Sequence, residues 1–262
     1  MRITTITREG FRARLFSATP GNRRLGRDML AGLTAILLLG LTASHAAAAS
    51  PGYAVRPTQQ LAVLLTPHDA HLAPAGSSPR VAFVPAHRPI TGEQTTLPVI
   101  GHSTGSSGIR WLRVMLPGRP DGLSGWIALQ GTRELLTPWR IVVDLATRSV
   151  SVYRSGRLGR RFRAVVGKPS TPTPTGHFFV EETVQMSAGE AGGPFALALS
   201  ARSNALQEFE GGPGQIALHG REKLGGTLGA AESHGCVRLS TADISWLAAR
   251  IGPGTPTSIL RG

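Results

Sequence analysis

"QIALHGREKLGGTLGAAESHGCVRLS", Gln215 to Ser240, contains the only cysteine of the chain, Cys236. The stretch opens on an apolar run bounded by glycines, which reads as a short buried strand ending at His219 and Gly220. A thiol attacks as the thiolate, and its ordinary pKa is about 8.5. A catalytic cysteine therefore needs a base within hydrogen-bond reach, and the base needs a partner that fixes its ring. Two histidines qualify. His219, at a strand end, can project into a cleft, while His234 shares a tight turn with Cys236. Gly235 lets that turn close and brings the N–H groups of Gly235 and Cys236 near the sulfur, placed to stabilise an oxyanion. The competing reading makes His219, His234 and Cys236 zinc ligands. A structural site needs a fourth ligand and no second cysteine exists, so no metal is expected. As a plain core residue, Cys236 would keep poor company in His234, Gly235 and Arg238.

The surroundings predict a mainly β domain from residue 138 to 262. "WRIVVDLATRSVSVYRSGRLGRRFRAVVG" reads as three strands joined by tight turns. "PSTPTPTG", Pro169 to Gly176, is too rich in proline for regular structure and reads as a rigid loop. "HFFVEETV" and "GGPFALALSA" are further strands. "STADISWLAAR" carries a capping box, Ser240 with Asp243, ahead of Ile244, Leu247 and Ala248 at helical spacing. "TPTSIL" closes the domain as a last strand.

Upstream, residues 80–132 read as a small β module. "IRWLRVML" alternates cleanly, and the turn-bounded Gly125-Trp126-Ile127 resembles bacterial SH3-like domains. Every catalytic candidate lies after Pro138, so the module is expected to be dispensable for the chemistry. Residues 50–79, with "TPHDAHLAPAGSSP", have no apolar period and read as a linker, its His68 and His71 solvated rather than metal-binding.

Residues 1–49 follow the order of a secretory signal: a basic segment, the apolar run Met29 to Ala43, then small residues ending near Ala49. The apolar run falls short of the ~20 residues that span a bilayer. An uncleaved anchor is the alternative. Lysines and arginines number 28 against 15 acids, a net +13, of which the first 49 residues hold seven arginines and two acids. A basic surface attracts nucleic acid, anionic lipid or anionic polymer. Export argues against nucleic acid and for an anionic cell-wall surface.

Leu218-His219-Gly220 followed by "SHGCVRL", Ser233 to Leu239, resembles the active-site motif of the L,D-transpeptidase catalytic domain, the YkuD family. "VVGKPSTPTPTGHFFV" and "GGPFALALSA" resemble further blocks of that family, in the same order. The resemblance implies a β-rich, sandwich-like domain with a short C-terminal helix. It implies Cys236 as nucleophile and His219 as general base, with Ser233, His234, Gly235 and Arg238 completing the signature. It implies peptidoglycan stem peptides as substrates, no cofactor, and carbapenem β-lactams as inhibitors. The thiolate would attack the carbonyl of the third stem residue, release terminal D-alanine, and pass the acyl group to an amine of another stem. With water as acceptor the enzyme would be an L,D-carboxypeptidase; with a dead site, a non-catalytic wall-binding protein. One departure stands out. Many members carry Ser or Asp after the base, whereas Gly220 has no side chain to orient the ring. A backbone carbonyl or a distant residue must do so. Arg238, where some members carry Asn, would bind a donor carboxylate or brace its loop.

Overall fold

The computed structural model describes residues 55–209 and 212–262. The segment read as an export signal lies outside them. Among the described residues no helix is long and apolar enough to cross a membrane.

Among the described residues seventeen strands and one helix follow in chain order. The first seven are β1 (Gln59–Leu64), β2 (His68–His71), β3 (Arg80–Val84), β4 (Thr96–Thr104), β5 (Arg110–Met115), β6 (Ser124–Ala128) and β7 (Thr132–Thr137). They form one sheet in the order β3-β2-β6-β5-β4-β1-β7. The expected linker is thus corrected. Its middle supplies β1 and β2, and the module runs from Gln59 to Thr137 rather than over 80–132. The two histidines of that stretch are structural. His68 is buried with its ring nitrogens 2.8 Å from Thr66 O and 2.9 Å from Gln130 O. His71 packs edge-on against Trp111 and lies 2.7 Å from Ser78 O.

The remaining strands are β8 (Trp139–Asp144), β9 (Ser149–Arg154), β10 (Arg157–Arg163), β11 (Val166–Gly167), β12 (Gly176–Gln185), β13 (Phe195–Arg202), β14 (Gln215–Gly220), β15 (Ala231–Ser233), β16 (Val237–Leu239) and β17 (Pro256–Leu260). Helix α1 (Thr241–Ala248) precedes β17. Eight strands form a sheet in the order β10-β9-β8-β17-β12-β13-β14-β16. The turn of the β9–β10 hairpin places Ser155 and Gly156 at φ of 49° and 77°, the pair of positive values that a type I′ turn requires.

Strand β12 belongs to both halves of this sheet. Gly176 to Phe179 pair with β17, and beyond a register shift at Val180 the strand pairs with β13. The bulge bends the sheet, so both halves face one core. Ile141, Val143 and Val150 from one half meet Leu197, Leu218 and Val237 from the other, with Ile244 and Leu247 of α1 among them. Ser240 caps α1 as its sequence predicts, accepting from Asp243 N at 3.1 Å and donating to Asp243 Oδ2 at 2.6 Å.

Adjacent residues of β12 point to opposite sides. Phe178 enters the core just described, and Phe179 enters the core of the N-terminal module. Polar contacts tie the two further. Arg88 pairs with Glu181, whose side chain is fully buried and also accepts from Arg202 at 2.9 Å. Thr91 donates to Glu182, and Arg202 N donates to Asp121 Oδ1 at 2.9 Å. Arg119 donates to the carbonyls of Pro213 and Ser203, both at 2.8 Å. The module is fastened to the C-terminal domain rather than tethered beside it.

Candidate active site

Strands β14 and β16 run parallel, with Leu218 opposite Val237 and His219 opposite Arg238. Ile216 and Leu218 of β14, and Val237 and Leu239 of β16, point into the core. Alternation then puts His219, Cys236 and Arg238 together on the other face. Cys236 lies beside Ala217, whose N–H is directed at the sulfur. Its thiol points at Gln215 O, 3.9 Å away. His219 is the diagonal neighbour of Cys236 across the strand gap.

His219 Nδ1 lies 2.6 Å from Gly220 O. A carbonyl only accepts, so Nδ1 carries the hydrogen and Nε2 keeps its lone pair. The orienting partner left open by the sequence is therefore a backbone carbonyl, that of Gly220. The missing side chain also has a cause. A Cβ on Gly220 would collide with Gly193 O and stand 3.0 Å from Gly192 O. Gly192 in turn lies against the imidazole, where a Cβ would come within 2.9 Å of Nδ1. Gly192 N donates to Glu222 O at 2.8 Å and Gly193 N to Glu190 O at 3.0 Å, which fastens this backbone over the ring.

The cysteine turn is held from inside. Ser233 Oγ donates to Cys236 O at 2.6 Å and accepts from Gly235 N at 3.2 Å. Gly235 sits at φ 123°, a conformation that favours glycine. Because its N–H is turned to Ser233, Gly235 does not serve as the oxyanion donor expected from sequence; Cys236 N–H remains the candidate. The Pro-rich loop grips the turn from outside. Thr173 Oγ1 donates to Gly235 O at 2.7 Å and accepts from Gly167 N at 2.9 Å, while Lys168 N donates to Ser233 O at 2.9 Å. Thr173 was absent from the sequence candidates. Its signal was the threonine-rich loop itself, whose hydroxyls had no assigned task.

His234, the second candidate base, is exposed, stacks on Phe209 with ring centroids 5.8 Å apart, and brings Nε2 to 3.3 Å from Lys168 Nζ. Arg238 is buried, and its Nη1 donates to Leu224 O at 3.2 Å, while its backbone exchanges hydrogen bonds with Val165. Of its two proposed roles, the loop brace is the one the geometry supports, rather than a group offered to a substrate carboxylate.

Burial lowers the His219 pKa to about 4; the Gly220 carbonyl opposes this and Arg238 adds to it. Burial raises the Cys236 pKa, opposed by Ala217 N–H and Arg238. At neutral pH Cys236 is a neutral thiol and His219 a neutral imidazole with a free Nε2. Among the described residues no cluster of His, Cys, Asp and Glu forms a metal-ligand set.

The family model of the YkuD L,D-transpeptidase catalytic domain matches residues 138–259. The YkuD protein of Bacillus licheniformis is 31% identical over 134 residues, which cover 51% of this chain and 73% of that protein. L,D-transpeptidase 1 of Mycobacterium tuberculosis is 28% identical over 127 residues, covering 45% of this chain and 49% of that protein. The solved structure of L,D-transpeptidase 3 from Mycobacterium tuberculosis, in complex with a faropenem-derived adduct, aligns with a TM-score of 0.41 at 13% identity, over 64% of this chain and 91% of that one. With the matched family model spanning the whole site just described, the chain belongs to the YkuD family of L,D-transpeptidase catalytic domains.

Proposed function

We propose that this protein is an exported peptidoglycan L,D-transpeptidase in which Cys236 is the nucleophile and His219 the general base. The observation that carries the reading is the 2.6 Å contact of His219 Nδ1 with Gly220 O, which leaves Nε2 free on the face shared with Cys236. The Cys236 thiol gives its proton to Nε2 as the sulfur attacks the carbonyl carbon of the third residue of a tetrapeptide stem. Cys236 N–H faces the developing oxyanion. As the tetrahedral intermediate collapses, His219 returns the proton to the departing D-alanine amine, and a thioester remains. A side-chain amine of a second stem attacks the thioester carbonyl and loses a proton to His219; the C–S bond then breaks, Cys236 leaves as thiolate and takes that proton back, and the new amide is the 3→3 cross-link. Ser233 and Thr173 hold the turn in place for both steps. Relatives have been solved with imipenem and with a faropenem-derived adduct; β-lactams of that type are proposed to acylate Cys236 here.

The test is mass spectrometry of muropeptides after incubation of tetrapeptide-stem monomers with the protein. Cross-linked dimers together with free D-alanine support the proposal. Tripeptide monomers alone make the enzyme a carboxypeptidase, and unchanged substrate overturns the reading.

A further inference from the structure

Among the described residues the densest run of positive charge lies outside the site. From Leu145 to Val180 there are six arginines, one lysine and no acidic residue. All six arginines, Arg148, Arg154, Arg157, Arg160, Arg161 and Arg163, are exposed on or beside the β9–β10 hairpin. None takes part in an ion pair among the described residues. Strand β10 is the free edge of the eight-stranded sheet. Charge on an edge strand discourages pairing with another chain, and one or two residues suffice for that. Six unneutralised guanidinium groups repel one another and work against the fold.

These side chains are also arranged. Arg154 lies over Trp139 at 5.4 Å, and Arg160 and Arg250 lie over Trp246 at 5.0 and 4.5 Å. Cation–π contact of this kind orders a guanidinium while leaving its N–H fork free at the edges. On the opposite face of the hairpin Arg161 Nε donates to Ser151 Oγ at 3.0 Å. Cations thus project from both faces of one narrow ribbon. A bilayer touches only one face, whereas a flexible linear chain can follow both. Arginine supplies every positive charge of the hairpin, and its fork matches phosphate oxygens in pairs.

We propose that the β9–β10 hairpin is a docking ribbon for a linear polyanion with repeating phosphodiester groups, of the kind an enzyme working on the cell wall meets. The choice of a wall polymer rests on the exported transpeptidase reading. The binding chemistry does not, because it is measured without turnover.

The probe is fluorescently labelled long-chain inorganic polyphosphate, titrated by anisotropy into the full chain at increasing salt. Each arginine that neutralises a phosphate contributes about 0.7 to the slope of log affinity against log salt. The triple variant Arg154→Gln, Arg157→Gln, Arg160→Gln is expected to lower the slope by about 2 and to weaken binding roughly tenfold or more at low salt. The control Arg110→Gln, Arg113→Gln, Arg133→Gln removes equal charge from exposed positions of the N-terminal module and is expected to bind within twofold of wild type. Arg157→Gln alone disturbs no aromatic contact and is expected to lower the slope by about 0.7. Acylation of soluble stem peptides by the hairpin variant is expected to match wild type. Equal losses in both triple variants, or no binding by wild type, overturn the proposal. So does a hairpin-dependent affinity for phosphatidylglycerol vesicles as high as that for polyphosphate, which would make the ribbon a membrane face.

Discussion

Replacing Gly220 with serine restores the residue type that many relatives carry, yet here it is expected to damage the enzyme. A Cβ at position 220 would fall far inside the 3.0 Å that real Cβ atoms keep, and the atom in its way is the backbone carbonyl of Gly193. A backbone atom cannot rotate aside as a side chain does. The segment 192–193 must move by about 1 Å, at a cost of about 1–3 kcal/mol by the usual measure of overpacking. That segment is tied to Glu222 O and Glu190 O and lies against the His219 ring, so the imidazole moves with it. A base displaced by about 1 Å costs on the order of 10²-fold in rate. The assay pairs thermal melting with the rate of acylation by a carbapenem, for Gly220→Ser and Gly220→Ala. Both variants are expected to melt lower and to acylate about 10²-fold more slowly, since the Cβ and not the hydroxyl is at fault. Wild-type acylation in Gly220→Ser would refute the reasoning, for it would mean that the carbonyl of Gly193 does not exclude a side chain.

Three further outcomes follow from the same geometry. The pH dependence of Cys236 alkylation is expected to titrate above the ordinary thiol value near 8.5 and to move little in His219→Ala, while acylation falls ~10²–10⁴-fold; a depressed thiol pKa that rises on losing His219 would instead reveal a preformed ion pair. Because the folded His219 pKa lies near 4 against 6.5 unperturbed, the folded state resists protonation. Stability is therefore full above pH 6.5 and declines as pH falls toward 4, by up to roughly 3 kcal/mol, and urea midpoints should show a flatter decline in His219→Gln. Arg88→Ala leaves the buried Glu181 with Arg202 as its remaining ion-pair partner and should cost about 1.5–3 kcal/mol; a melting temperature equal to wild type, or residues 133–262 alone melting like the full chain, would show that the module does not support the C-terminal domain.

Cys236 and His219 were legible because their chemistry needs few residue types, and because a glycine-bounded strand and a glycine turn announce where they sit. Helix α1 was legible from its cap for the same local reason. The linker was misread because "HDAH" makes only two inward contacts, His68 and Ala70, too few for a period of two to register. Strand β2 exists through pairing with its neighbour β3 and with β6, whose Trp126 lies far along the chain from His71. The ion pairs between the module and β12 were hidden for a similar reason. Glu181 and Glu182 look like solvent-facing acids in "VEET", and it takes Arg88 and Thr91, some ninety residues earlier, together with Arg202 to make their burial tolerable. The orienting group of His219 is a main-chain carbonyl, which a pattern of side chains does not display. Arg238 was read as a cation near a thiol; that its fork faces Leu224 follows from the path of the loop above it.

The most direct test of the central claim is the mass of the intact protein after reaction with imipenem, followed by peptide mapping. The account predicts one adduct per chain, on the peptide that holds Cys236, absent in Cys236→Ala and forming ~10²–10⁴-fold more slowly in His219→Ala. An adduct on any other residue, or one that forms at the wild-type rate without His219, would contradict it.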